Sequence, residues 1–233
     1  MWDNPRLLNA AAGFLVGLSL LAFALAGVRA ALRSPLLPVR TVEIVTPLKQ
    51  ARREAVEQAV RQAVGGNFFA TRLDRVRIAL ERVPWVRSVE VRRVWPDRLE
   101  VAIEEHAALA RWGTTDLVDA YGERFVGQAL PALPVFLGPE GSEAEMAERY
   151  RHFVRILQPL DTKLERVVLT PRYAWQLRLA NGLNIMLGRD ADLAEQRLRR
   201  FVEVFDETVA RIPGRQEYVD LRYANGFALR PRG

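Results

Sequence analysis

From Leu7 to Val28 the chain carries 22 residues without a single charge. At about 1.5 Å of rise per residue such a run forms a helix of about 33 Å, long enough to cross the hydrocarbon core of a bilayer. More than 200 residues of mixed polar and apolar sequence follow it. Ala24-Leu25-Ala26 offers small residues at signal-peptidase spacing, but the apolar region of a secretory signal spans only about 7 to 15 residues. An uncleaved anchor is therefore the expectation, ahead of a signal peptide or a buried core helix. Arg6 precedes the run, whereas Arg29, Arg33 and Arg40 follow it. Taken alone, that asymmetry puts the bulk of the chain in the cytoplasm.

Downstream, stability has to come from packing, because the sequence contains no cysteine. Disulfides, thiolate metal sites and a cysteine nucleophile are excluded with it. The net charge of +6 raises the question of nucleic acid. However, the basic residues are arginines dispersed among acids, and the pairs Arg52-Arg53 and Arg199-Arg200 stand beside Glu54 and Glu203 on expected helices. That pattern reads as solvated helix faces, with no nucleic-acid partner. Arg29 and Arg33 sit where anionic lipid head groups would attract them.

Ser34-Pro35-Leu36-Leu37-Pro38 predicts a stiff connector, since each proline fixes its own backbone and restricts its predecessor. Beyond it, Val39 to Val45 reads as a strand. Lys49 to Val64 reads as a helix with Ala55, Val56, Ala59, Val60, Ala63 and Val64 on one face, ended by Gly65-Gly66. Thr71-Arg72-Leu73-Asp74 has the form of an N-terminal cap, opening a second helix striped by Leu73, Val76 and Leu80 and stopping near Pro84. Ser88 to Trp95 and Leu99 to Glu105 alternate as two strands around a turn at Pro96-Asp97-Arg98. Val89, Val91 and Trp95 share a face of the first, Leu99, Val101 and Ile103 a face of the second.

The remainder, from about Ala107, predicts short strands and hairpins. Leu117 to Ala120 and Arg124 to Val126 flank Tyr121-Gly122-Glu123, and Trp175 to Ala180 and Leu183 to Leu187 flank Asn181-Gly182. Two helices interrupt them. Glu143 to Leu157 follows a Ser142 cap and buries Met146, Tyr150, Phe153, Val154 and Leu157, and Asp192 to Ile212 carries Leu198, Phe201, Val202, Phe205 and Val209. Tyr218 to Tyr223 is a final strand with Val219, Leu221 and Tyr223 on one side. The fold class is α+β.

No arrangement for catalysis emerges. His106 and His152 lack the spacing of metal ligands. Gly138-Pro139-Glu140-Gly141-Ser142 has a proline where a phosphate cradle needs an amide, and Glu104-Glu105 point to opposite faces of a strand. No enzyme activity, cofactor, metal or small-molecule substrate is expected. Two readings of Tyr218 to Leu229 stay open. It is either a terminal sheet edge available to a partner's strand, or an internal strand with Asp220 and Arg222 as solvated surface.

An ordered set of segments carries a resemblance. Val83-Pro84-Trp85-Val86-Arg87, Val89 through Asp97, Ala110-Arg111-Trp112, Val118-Asp119-Ala120-Tyr121-Gly122-Glu123-Arg124-Phe125, Gly138 to Ser142 and Tyr218-Val219-Asp220-Leu221-Arg222-Tyr223 together resemble the FtsQ/DivIB family of bacterial cell-division proteins. The resemblance implies a short cytoplasmic N-terminus (1–6), a transmembrane helix (7–28), a linker (29–38), a POTRA domain (39–106) of order β-α-α-β-β, and a mostly antiparallel β domain with two helices (107–233). It also implies a single-pass type II protein of the inner membrane, concentrated at the septum, with a periplasmic bulk. That orientation reverses the one read from charge, since long domains translocate largely regardless of it.

The function implied is that of a non-catalytic scaffold binding FtsB and FtsL, the first through the edge of its last strand. The corresponding positions are Arg222, Tyr223, Asn225, Gly226, Phe227 and Leu229, with Arg189 as partner for an acidic side chain. Ser88, Val91 and Arg93 resemble positions tied to recruitment of other division proteins, although Val91 reads equally as core. The alternative is a POTRA-type translocation or envelope-assembly factor that binds client strands.

Overall fold

The structure, a computed structural model, describes residues 5–33, 38–128, 130–212, 214, 216–223 and 226–231. Of the expected connector, Ser34 to Leu37 lie outside them. The chain divides into two compact units, Met1–Glu105 and His106–Gly233.

The first unit opens with helix α1 (Pro5–Arg33). Its stretch Asn9–Ala30 has a mean hydropathy of 2.2 with none of it buried, so it is long and apolar enough to cross a membrane. Then come strand β1 (Thr41–Ile44), helices α2 (Arg53–Ala63) and α3 (Leu73–Glu81), and strands β2 (Val86–Val94) and β3 (Arg98–Glu105). The β-α-α-β-β order is the expected one. In the sheet β3 is central, parallel to β1 and antiparallel to β2. Leu99, Val101 and Ile103 of β3, Val56 and Val60 of α2, and Val76 and Leu80 of α3 form a single buried layer with Phe68 and Trp85.

Three local expectations fail for identifiable reasons. Helix α2 starts at Arg53 rather than Lys49, because the Lys49, Gln50 and Ala51 amides all donate to the Glu105 carboxylate at 2.8–3.2 Å and Arg52 is extended. Thr71 does not cap α3. It is buried, with its hydroxyl 2.9 Å from the Asn67 carbonyl, and Arg72 stands at the cap position without a side-chain bond. Trp95 lies in the β2–β3 turn and is exposed; Trp85 fills the core instead.

The second unit is one nine-stranded sheet covered on one face by two helices. Its elements are β4 (Ala108–Trp112), β5 (Asp116–Asp119), β6 (Arg124–Val126), β7 (Val135–Leu137), α4 (Glu143–Leu157), β8 (Leu164–Leu169), β9 (Trp175–Leu179), β10 (Asn184–Gly188), α5 (Ala191–Val204), β11 (Gln216–Asp220) and β12 (Ala228–Pro231). Their order across the sheet is β12-β11-β10-β9-β8-β7-β4-β5-β6, with β4–β7, β7–β8 and β10–β11 parallel and the other pairs antiparallel. Parallel neighbours need a crossover, which α4 supplies between β7 and β8 and α5 between β10 and β11.

Strand alternation buries one face only: Trp175, Leu177 and Leu179 of β9 are in the core, whereas Gln176 and Arg178 are not. Met146, Phe153 and Leu157 of α4 and Ala194, Leu198 and Phe201 of α5 complete that core. Tyr150 is only half-buried, its ring 5.2 Å from that of buried Phe136 on β7, and Val154, one turn further along α4, is exposed. Helix α5 is shorter than its apolar pattern, ending at Val204 before a short 3-10 turn at Val209–Arg211. Its start is fixed by Asp190, whose carboxylate accepts the Asp192 and Leu193 amides at 3.0 and 2.9 Å.

Candidate partner-docking edge

The C-terminal segment is a hairpin rather than a single ribbon. β11 lies between β10 and β12, so of the two readings left open for Tyr218 to Leu229 its first part is an internal strand and only the returning part lies at the sheet edge. The chain reverses after Tyr223 and returns as β12, pairing Tyr218 with Arg230, Val219 with Leu229 and Asp220 with Ala228. β12 is now the outermost strand, and among the described residues no strand covers its other flank. Such a flank presents unpaired amides and carbonyls that another chain can extend.

What seats β12 is its inward side. Phe227 is half-buried and meets Phe201 of α5 edge to face at 5.5 Å, and Leu229, opposite buried Val219, also packs on the core. These two predicted partner residues therefore have intramolecular neighbours. On the opposite face the Arg230 guanidinium lies over the Tyr218 ring, 5.6 Å from its centroid. Burial, and next the Asp220 charge, hold the Tyr218 phenol above its ordinary pKa.

Parallel pairing brings the ends of β10 and β11 to the same side as the start of β12, and the remaining predicted residues gather there. The Asp220 carboxylate, buried at 4% exposure, accepts from the Arg222 backbone amide at 3.1 Å, from Nε at 2.8 Å and from Nη2 at 2.6 Å. Those bonds hold Asp220 below its ordinary pKa and Arg222 above its own. The Arg222 stem passes over Gly188, where an added Cβ would lie 3.5 Å from Arg222 Cγ and 2.8 Å from Arg197 Nη1, at a φ of +95°. Glycine is needed there for both reasons.

Arg189, the next residue, is exposed and forms no ion pair with the described residues. Tyr223 is exposed and does not share the buried side of Val219 and Leu221. Gly226 is exposed at the start of the returning segment, and Asn225 lies outside the described residues. Of the predicted residues that the structure describes, Arg222 is thus a committed cation, Arg189 an uncommitted one, and Tyr223 an exposed aromatic ring just ahead of the open strand. Asp220 and Arg230 belong to this edge without having been among the predicted residues. The Asp-x-Arg spacing at 220–222 was the available signal for the first.

The predicted recruitment residues share a strand but not a face. In β2, Val91 and Arg93 lie opposite Val101 and Leu99 on the helix-covered face, whereas Ser88 lies opposite Glu104 on the other. Val91 is half-buried. Arg93 is engaged by the α2–α3 loop, donating to the carbonyls of Phe68 at 2.9 Å and Thr71 at 2.6 Å. Ser88 donates to Glu104 at 2.8 Å. β2 is an outer strand of its sheet.

The clustered carboxylates and imidazoles also have structural partners. Asp119 is buried between His106 Nδ1 at 2.9 Å and the amides of Tyr121 and Glu123 at 2.8 and 2.9 Å, which locks the β5–β6 turn. His152 and Arg149 both meet Glu195 across the α4–α5 seam, at 2.8 and 2.7 Å.

Two family models match this chain: the cell division protein FtsQ/DivIB C-terminal model over residues 110–222, and the FtsQ-type POTRA domain over residues 37–106. The cell division protein FtsQ of Nitrosospira multiformis is 42% identical over 99% of both chains. That of Burkholderia pseudomallei is 41% identical over 100% of this chain and 95% of its own, and that of Neisseria gonorrhoeae 34% over 99% and 95%. Identity of that order along the whole length, with both domain models in sequence, places this chain in the FtsQ/DivIB family of non-catalytic cell division proteins.

Proposed function

We propose that the chain is a single-pass inner-membrane scaffold of the divisome, anchored by α1 with its two domains in the periplasm, and that β12 captures the membrane-anchored division proteins FtsB and FtsL. The observation that carries this reading is the open flank of β12, with exposed Tyr223 ahead of it in the chain and exposed Arg189 at the same end of the sheet, beyond β11. Backbone hydrogen bonds from an added strand supply affinity, and side chains flanking the strand supply selectivity. Arg189 is the cation for an acidic side chain of the partner. Arg222, already neutralised by Asp220, shapes the end of the hairpin. Ser88, Val91 and Arg93 act through β2, as an outer strand available to other division proteins.

The absence of cysteine makes a direct test clean. Single cysteines at Ala228 and Arg230 in the full chain should cross-link to cysteines placed along a partner segment of FtsB in a fixed register. A cysteine at Gln176, inside the same sheet, should not. Cross-links without register, or equally strong ones from Gln176, would remove β12 as the docking strand. Protease added outside spheroplasts should digest both domains; full protection would reverse the orientation.

A further inference from the structure

A second surface of the β domain lies apart from that edge. The C-terminal half of α4, the turn after it and the segment entering β7 enclose a cleft of about 540 Å3. β9, β10 and β11 separate β8, which this cleft adjoins, from β12. Its lining includes an apolar part, with Pro134, Leu157 and the exposed Val154, which serves as its floor beside the polar Gln158 and Thr162. Arg151, Arg155 and Lys163 stand around it, and none of the three forms an ion pair or side-chain hydrogen bond with the described residues. The one acid in the lining is Asp161, a turn residue with φ of +44°.

We propose that this cleft is a docking site for an acidic polypeptide segment that carries an aliphatic side chain between its carboxylates. The charge balance is what selects an acidic occupant, since three cations face one carboxylate. The floor is what selects a polypeptide. A bare phosphate or an anionic head group satisfies the cations but leaves Val154 and Pro134 in water, whereas a Glu-Leu-Glu type segment covers both. Charged rims and an apolar centre are the usual division of labour in a recognition surface, with the rim setting association rate and salt dependence. The proposal does not depend on capture by β12.

The test uses the full chain in detergent and a fluorescein-labelled peptide of alternating Glu and Leu as probe. Binding should weaken as salt rises and fall at least tenfold in the Arg151→Glu/Lys163→Glu double variant, both positions being at the surface. Arg172→Glu, elsewhere on the same domain, should bind as the unaltered chain does, and register-specific cross-linking at β12 should survive the double variant. A Ser-Leu peptide and poly-Glu should each bind more weakly than the probe. The proposal is overturned if the probe does not bind, if the double variant binds it unchanged, if inorganic phosphate displaces it at equal charge, or if anionic vesicles bind the chain through these residues in its place.

Discussion

Asp220 holds Arg222 across a span of two residues, with the carboxylate shielded and the guanidinium half in water. The pair turns a flexible cation into a fixed part of the hairpin end. Because charge-assisted bonds contribute about 1.5–3 kcal/mol each at most when half exposed, Arg222→Ala should destabilise the domain by about that amount in total. Thermal melting of the full chain checks this.

The same pair sets a pH dependence. Arg222 holds the Asp220 carboxyl below its ordinary value of 3.8, so its stabilisation is complete above that unfolded value and is lost as the pH falls through the lower folded one. Between about pH 5 and about pH 2 the unaltered protein should lose more melting temperature than Asp220→Asn. Parallel curves for the two would show that the pair contributes nothing.

Phe227 and Tyr223 should separate seating from recognition. Phe227→Asp places a charge against Phe201 and should lower stability by about 2 kcal/mol, roughly half the cost of truncating a fully buried Phe. Loss of partner capture would follow from the unseated strand. Tyr223→Ala, at an exposed position, should leave the melting temperature within about 1 °C and still weaken capture of FtsB. Equal losses of stability in both variants would contradict the assignment.

In the POTRA domain, Glu105 is the only group receiving the three amides of Lys49 to Ala51 among the described residues. Glu105→Ala should destabilise that domain by about 2 kcal/mol, and Glu105→Gln by less, since one acceptor oxygen remains. Hydrogen exchange at residues 49–51 should accelerate in step.

Gly122 has φ of +84°, and a Cβ there would sit 2.2 Å from the Ala144 Cα. Gly122→Ala should cost about 3 kcal/mol by combining backbone strain with a clash against main chain. An unchanged melting temperature would show that α4 can move aside freely.

Periodicity made most of the architecture legible. The stripes of Val56-Val60 and Val76-Leu80 specified two helices, Asn181-Gly182 specified a hairpin, and Glu143 to Leu157 is helical from end to end. Ends were less legible where tertiary contacts decided them. Glu105 takes the amides at 49–51 from 54 residues or more away, a relationship with no local trace. β7 and β8 were invisible because a strand of three residues carries no readable alternation, and β8 shows little contrast between its faces.

At the candidate edge the residues were found but their directions were not. Phe227, Leu229 and Tyr223 all look like an interaction surface in a linear chain. Only the reversal before Ala228 turns the first two toward α5 and leaves the third in water. Arg222 likewise reads as a free cation until Asp220 is seen to be buried beside it. Ser88 and Arg93 part company because they stand five residues apart in an uninterrupted strand of period two, and because Arg93 reaches the α2–α3 loop.

β12 is four residues long and, among the described residues, has a neighbouring strand on one flank only. A strip held that way opens at far lower free energy than the interior strands of its sheet. Whatever chain aligns along its free side must also arrest that fraying, so docking and tail ordering become one cooperative event. The heat-capacity change on association should then exceed what the contact area alone accounts for, and the measured affinity is what is left after the tail's lost entropy.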